Sequence, residues 1–240
     1  MTNEEFSREF DAAVNSYAFS PGFGNDATFQ TLVFDEYEKS LWLTRAQEEV
    51  SLSIYTGRNP DGEAFEETEQ KRRYLAPLIT EDTLTPLDTT VYKPTGMGST
   101  SSFFELPEDV WFITYEAVHF LGGKCDGTNT MQVIPMTQDE YHRLRKNPFR
   151  GPGSRRAIRL DMGEDVVEII CNYVAEDYYL RYLRKPRPII LEDLPDDITV
   201  GGISSELSCE LPSALHREIL DRAVALAVQS KQYNRLSSNS

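Results

Sequence analysis

Three histidines, three cysteines and several pairs of acidic residues are the side chains of this sequence that could do chemistry. Imidazole titrates near neutrality, which makes His119, His142 and His216 the first residues to weigh. His119 falls in the inward phase expected for its alternating run, His142 lies in a short basic stretch, and His216 opens the last helical stretch. A site shared among them needs distant segments to converge, so ordinary buried or surface roles are expected. Cys125, Cys171 and Cys209 are odd in number and far apart. They form no Cys-x-x-Cys pair, so zinc ligation is not expected; they read as small apolar fillers in a reducing compartment. Acidic pairs stand at Glu108-Asp109, Glu164-Asp165, Glu192-Asp193 and Asp196-Asp197. Paired carboxylates can hydrolyse glycosides or hold a metal, yet adjacent acidic residues in turns are ordinarily solvated. There is no phosphate loop, dinucleotide fingerprint, zinc-protease helix, nucleophile elbow or calcium loop. The sequence therefore assigns no catalytic, metal or cofactor-binding residue, and an enzyme with an unrecognised carboxylate site is kept only as an alternative.

The least ordinary stretch runs from Arg143 to Arg156, with six basic residues, no acidic ones and an aromatic beside a Gly/Pro turn. Arg143, Arg145, Lys146, Phe149, Arg150, Arg155 and Arg156 are the candidate contact residues. Three readings stay open: phosphate contact with Phe149 stacking on a base, an acidic protein surface, or a solvated loop. The net charge is −15, and it is unevenly spread. Residues 1–142 carry −16, residues 143–187 carry +5 and residues 188–240 carry −4. Such a chain repels nucleic-acid phosphates except where cations segregate, and its own acidic parts offer the basic middle a partner.

The elements that must position these residues can be read in outline. Thr2 and Glu5 have capping-box spacing, and Phe6, Phe10, Ala13, Val14 and Tyr17 recur at helical intervals up to Ser20-Pro21-Gly22. A longer helix is expected over about 30–56, with Tyr37, Leu41, Ala46, Val50 and Ile54 on one side and Gly57 as its stop. A short charged helix follows over 66–75. Residues 80–102 are rich in Thr, Ser, Pro and Gly and read as a linker or extended arm. Strands are expected at 110–121 and 131–136, joined as a hairpin through Gly122-Gly123 and Asp126-Gly127. A helix from Thr137 to about Lys146 and strands at 155–162, 166–174 and 178–185 come next, the last three forming a meander. Pro186 and Pro188 should end the third of these or hold it at an edge. Pro212 and the stripe Leu215, Ile219, Leu220, Ala223, Leu226 and Ala227 mark a closing helix over 212–232, before a polar tail at 233–240. The fold class expected is α+β: helices over 1–79, the arm, a mostly antiparallel sheet with a short helix over 103–211, then the closing helix.

Composition agrees with a folded chain, at 40% hydrophobic and 26% charged residues. No basic n-region with an apolar run opens the sequence, and no segment approaches the roughly 18 apolar residues a spanning helix needs, so no membrane association is expected.

Several strings are idiosyncratic: Asn147-Pro148-Phe149-Arg150, Arg181 through Leu191, Cys209-Glu210-Leu211-Pro212 with Leu215-His216, the opening Met1 to Phe6, and Asp35 to Ser40. Together they resemble virion structural proteins of crAss-like phages, most of all the ring proteins that stack below the portal to build the tail barrel. The resemblance spans the chain except about residues 60–105. It implies a non-enzymatic homo-oligomeric ring, twelvefold to match the portal, touching neighbouring ring or portal proteins. It further implies a conduit that passes DNA and cargo without specific binding, made in the bacterial host cytoplasm and placed in the virion tail. A head-to-tail ring needs two different complementary surfaces per subunit, and the charge split supplies candidates. A nucleic-acid-binding accessory protein working through residues 143–156 is the other alternative.

Overall fold

A computed structural model describes the chain except residues 19–32, 89–91, 93, 96–99, 122–128, 154, 164, 196 and 239–240, and the side chains of 17, 18, 121 and 232–238. The helical stop at Ser20-Pro21-Gly22 and the hairpin turn at 122–127 lie outside the described residues. Helices and one mostly antiparallel seven-stranded sheet make the fold α+β. The chain divides into two compact units, residues 1–78 with 186–240, and residues 79–185.

The helical unit is built from α1 (Asn3–Ala18), α2 (Glu36–Thr56), α3 (Glu69–Leu75), a 3-10 turn (Ala76–Leu78) and α5 (Ser213–Ser238). Phe6, Phe10 and Val14 of α1 are fully buried, as the helical spacing expects. Helix α5 packs on α2 and α1 and buries Leu215, Ile219, Leu220, Ala223, Leu226 and Ala227. Gly57 ends α2 at φ +73, a left-handed conformation in which a side chain is strained.

The inward face of α2 departs from the sequence reading. Leu41 is exposed, while Lys39, Ser40, Gln47 and Ser51 are buried beside Ala46, Val50 and Ile54. The cause is a second partner beside α5, a stretch of backbone. Ser40, Thr44 and Gln47 recur at i, i+4 and i+7 and so share one stripe. Ser40 accepts from Leu191 N–H at 3.1 Å, Thr44 accepts from Ile189 N–H at 3.0 Å, and Gln47 donates to the Arg187 carbonyl at 2.7 Å. From α1, Asn3 donates to the Ile190 carbonyl at 3.1 Å. A segment without a strand neighbour on this side thus has its polar groups met by side chains, as burial requires. Lys39 is buried too, held by Asp11 at 2.7 Å and Glu36 at 2.8 Å. Burial alone would lower its pKa, but the hydrogen bonds to these two carboxylates more than offset that and raise it.

The sheet unit contains β1 (Ile79–Leu84), β2 (Thr100–Glu105), β3 (Val110–Leu121), β4 (Thr130–Pro135), α4 (Gln138–Leu144), β5 (Arg156–Gly163), β6 (Val166–Cys171) and β7 (Val174–Arg184), in the order β1-β7-β3-β4-β5-β6-β2. Two strand segments, β1 and the start of β2, therefore lie within the span read as an arm. All neighbours are antiparallel except β4 and β5, which run parallel with α4 as their connection. The expected meander of the last three strands does not form. Strand β7 leaves its sequence neighbour β6 and pairs with β3 and β1, so it is interior, and it ends before Pro186.

The sheet is strongly curled. Strands β2 and β7 are five spacings apart in the sheet order, roughly 24 Å if it were flat. Yet the rings of Phe104 on β2 and Tyr178 on β7 lie 5.3 Å apart. Phe104, Val118, Met131, Val167, Ile169 and Leu180 belong to one core on the inner face. Tyr141 of α4 covers Ile158, Leu160 and Ile170 on the other face, so β6 is buried along its whole length. Among the described residues, no helix is long and apolar enough to cross a membrane.

Candidate inter-subunit site

Helix α4 and the loop after it carry the basic stretch. Thr137 caps α4 by accepting from Glu140 N–H at 3.3 Å, acidic Asp139 and Glu140 fill its first turn, and Arg143 stands in its last. That order of charge complements the helix dipole. Tyr141, 2% exposed, fixes α4 to the sheet, so the following loop leaves from a rigid base.

The loop folds back over the C-terminal end of α4. Gly151 N–H donates to the Asn147 carbonyl at 2.8 Å. A Cβ on Gly151 would lie 2.8–2.9 Å from the carbonyl oxygens of Arg145, Asn147 and Leu144, so only glycine fits without moving backbone. Phe149 N–H donates to the Asn147 side-chain oxygen at 2.8 Å, and the Arg156 guanidinium donates to the Phe149 carbonyl. Both backbone groups of Phe149 are thus satisfied within the loop, while the residue is 81% exposed.

Of the seven candidate residues, Arg143, Lys146, Phe149, Arg150 and Arg155 are exposed, and Arg145 and Arg156 are half-buried. Among the described residues, Arg143, Arg145, Lys146, Arg150 and Arg155 form no ion pair with a carboxylate. The wider basic segment is not one patch. Arg159 pairs with Glu116 at 2.7 Å, Arg181 with Glu81 at 3.5 Å, and Arg187 with Glu210 at 3.3 Å. Excess positive charge is therefore concentrated between Arg143 and Arg155.

Among the described residues, the three histidines, the cysteines and the adjacent acidic pairs do not converge on one shared site. Cys125, Glu164 and Asp196 lie outside the described residues. Cys171 is buried with its thiol on the Tyr173 carbonyl, and burial raises its pKa. Burial likewise pushes Cys209 up to about 11, and its thiol donates to Gln47. Neither has the thiolate character that reactivity needs. His142 is exposed. His216 is buried against the Phe6 ring; its Nε2–H donates to the Leu211 carbonyl at 2.9 Å and its Nδ1 accepts from the Met1 ammonium at 2.6 Å. Desolvation lowers its pKa below the ordinary 6.5. Of the acidic pairs, Asp109 accepts from the Tyr182 hydroxyl at 3.0 Å and Asp193 accepts from Glu206 N–H at 2.7 Å, both structural tasks.

His119 corrects the sequence reading. It is exposed rather than inward: of the three register shifts between β3 and β7, the one between Ile113 and Tyr115 puts an extra residue on β3 and throws the residues after it out of phase with Ile113. The last shift lies between His119, opposite Asp177, and Phe120, opposite Ala175. Glu176 is the extra residue, and His119, Glu176 and Asp177 present ligand atoms within 4.8 Å of one another. Nothing in the spacing of these residues signals the cluster, since a bulge is not legible in a sequence. The chemistry could suit a divalent ion, but His119 and Glu176 are 46% and 44% exposed and already pair at 3.3 Å. Water competes for such ligands. The purified protein is expected to hold less than stoichiometric metal; elemental analysis finding about one zinc per chain would overturn this.

The comparisons with known proteins agree with one another. A model of the phage tail ring protein 3/4 family matches residues 1–239. "Ring protein 3" of Bacteroides phage crAss001 is 45% identical over 237 residues, 96% of each chain. "Ring protein 4/5" of the same phage is 31% identical over 243 residues, 97% of this chain and 94% of the relative. With a match along nearly its whole length, this chain belongs to the phage tail ring protein 3/4 family.

Proposed function

We propose that the chain is a non-enzymatic structural subunit that closes head to tail with copies of itself into a ring of twelve. In this reading the ring sits in the tail barrel against neighbouring ring or portal proteins, and DNA and cargo pass through its lumen. The observation that carries it is the family match over residues 1–239, together with 45% identity to a ring protein over 96% of the chain. The charge distribution supports the head-to-tail part. A ring that closes by rotation uses two unlike surfaces on each subunit, and the cations between Arg143 and Arg155, which form no ion pair among the described residues, complement the acidic remainder of the chain. Acidic excess also suits a conduit, since a negative lumen repels phosphates instead of gripping them.

The experiment is native mass by light scattering, at low and high salt, for the wild type and for Arg150→Glu/Arg155→Glu. The wild type should form a particle about twelve times the 27.4 kDa chain, and the reversal should dissociate it. Single exposed pairs contribute about 0–1 kcal/mol, but repeated around a closed ring they decide register and closure. High salt should partly mimic the reversal, because exposed charges are screened beyond about 8–10 Å. Loss of duplex binding in a gel shift with unchanged mass would instead favour the nucleic-acid reading. A wild type that stays monomeric at all concentrations would overturn the ring.

A further inference from the structure

We infer that Phe149 is the anchor by which each copy docks on the helical unit of the next copy, with the surrounding cations guiding it there. This rests on the ring reading and adds which residue carries the contact and which surface receives it.

Phe149 is 81% exposed. A large apolar ring in water is unremarkable when it hangs from a mobile loop. Here the loop is pinned around it. Asn147 holds its N–H, Arg156 holds its carbonyl, and Gly151 packs the loop onto three carbonyl oxygens at the end of α4. The backbone that presents the ring is fixed before any partner arrives, so docking does not have to order it. Rigid, exposed aromatics of this kind dominate the energy of protein interfaces, and arginines are the charged residues most enriched beside them. Arg143, Arg145, Lys146, Arg150 and Arg155 lack carboxylate partners among the described residues, so they remain available to one outside the subunit.

Charge selects the receiving surface. The helical unit holds 23 acidic and 12 basic residues, net −11, whereas the sheet unit holds 16 and 12, net −4. The cationic loop belongs to the sheet unit. Contact of this loop with the helical unit, the more acidic of the two, is therefore the pairing of most opposite charge, and it is heterologous, which is what lets identical copies continue around a ring. A nucleic-acid strand is the poorer occupant, because the rest of the chain is acidic and repels phosphate.

Two measurements test this on the full chain. Phe149→Ala should unfold at the wild-type midpoint, because the ring packs little within its own subunit. Its assembly, followed by light scattering against concentration, should need at least tenfold more protein, and Phe149→Trp should restore it. In the second, benzoyl-phenylalanine at position 149 should photo-crosslink to residues 1–78 or 186–240 of another copy, as mapped by peptide mass. Assembly of Phe149→Ala within twofold of wild type, while the wild type still forms particles, overturns the anchor and leaves the ring reading intact. Crosslinks confined to residues 79–185, or to added duplex DNA, overturn the receiving surface. A monomeric wild type overturns the ring reading first.

Discussion

Arg159→Met is expected to destabilise the sheet unit by about 3–5 kcal/mol at neutral pH, the usual cost of removing one member of a buried ion pair. Arg159 and Glu116 are 12% and 7% exposed at the side chain and meet at 2.7 Å. The Tyr178 hydroxyl donates to the other Glu116 oxygen at 2.6 Å, and Arg159 also reaches Asp161 at 3.0 Å. Burial holds the Glu116 carboxyl above its ordinary range, with Arg159 and Tyr178 drawing it partly back. Removing the guanidinium leaves a carboxylate in the core with one hydrogen bond. A carboxyl whose folded pKa exceeds its unfolded value penalises folding above that folded pKa, and the penalty fades as pH falls and the proton binds. The deficit of Arg159→Met should therefore shrink between neutrality and the ordinary Glu value near 4.5. Replacing the pair together, Arg159→Met with Glu116→Leu, should recover much of the loss, because an apolar pair needs no desolvation. Urea denaturation at several pH values reads all three; a single-variant loss under about 0.5 kcal/mol, the ordinary surface range, would mean that the pair is solvated.

Ile219→Ala in α5 is expected to cost about 2–5 kcal/mol in the helical unit. Ile219 is fully buried, between other fully buried residues, Leu220 and Ala223. The charged rim of the same helix cannot compensate. Arg217 pairs with Glu9 at 2.9 Å and Lys231 with Glu38 at 3.2 Å, but these are substantially exposed and each is worth about 0–1 kcal/mol. Leu226→Ala should cost less, toward the low end, since that side is 8% exposed. Denaturation with far-ultraviolet circular dichroism separates the cases. A cost within about 0.5 kcal/mol for Ile219→Ala would show that α5 is peripheral.

The sequence made some of this legible, and physics explains which parts. Apolar stripes at helical spacing identified α1 and α5, because each packs mainly on apolar partners. For α2 the stripe held at Ala46, Val50 and Ile54 but not at Leu41, since the helix also faces a backbone segment and meets it with Ser40, Thr44 and Gln47. The strands were largely located by their β-branched content. Their neighbours were not, because pairing β7 with β3 instead of β6 depends on the curl of the whole sheet. His119 was misplaced for a local reason: the extra β3 residue between Ile113 and Tyr115 reverses the phase of the side chains after it. The stretch from Arg143 to Arg156 stood out by composition alone. That Arg156 braces the loop, while five other cations lack carboxylate partners among the described residues, needed the backbone path.

The interrupted helical unit also sets an order in time. Helices α1 and α2 leave the ribosome early, yet α5, which covers them, begins only at Ser213. At about 5–20 residues per second, the 157 residues from Thr56 to Ser213 take on the order of ten to thirty seconds to make. The sheet unit, contained in residues 79–185, can mature during that interval. Phe6, Phe10 and Val14 must wait without their native cover, which makes this interval the one in which a chaperone has most to hold. Under the proposed docking of the loop on the helical unit, a nascent copy that lacks the finished helical surface would present its loop before it could receive one. Ring growth would then depend on completed chains.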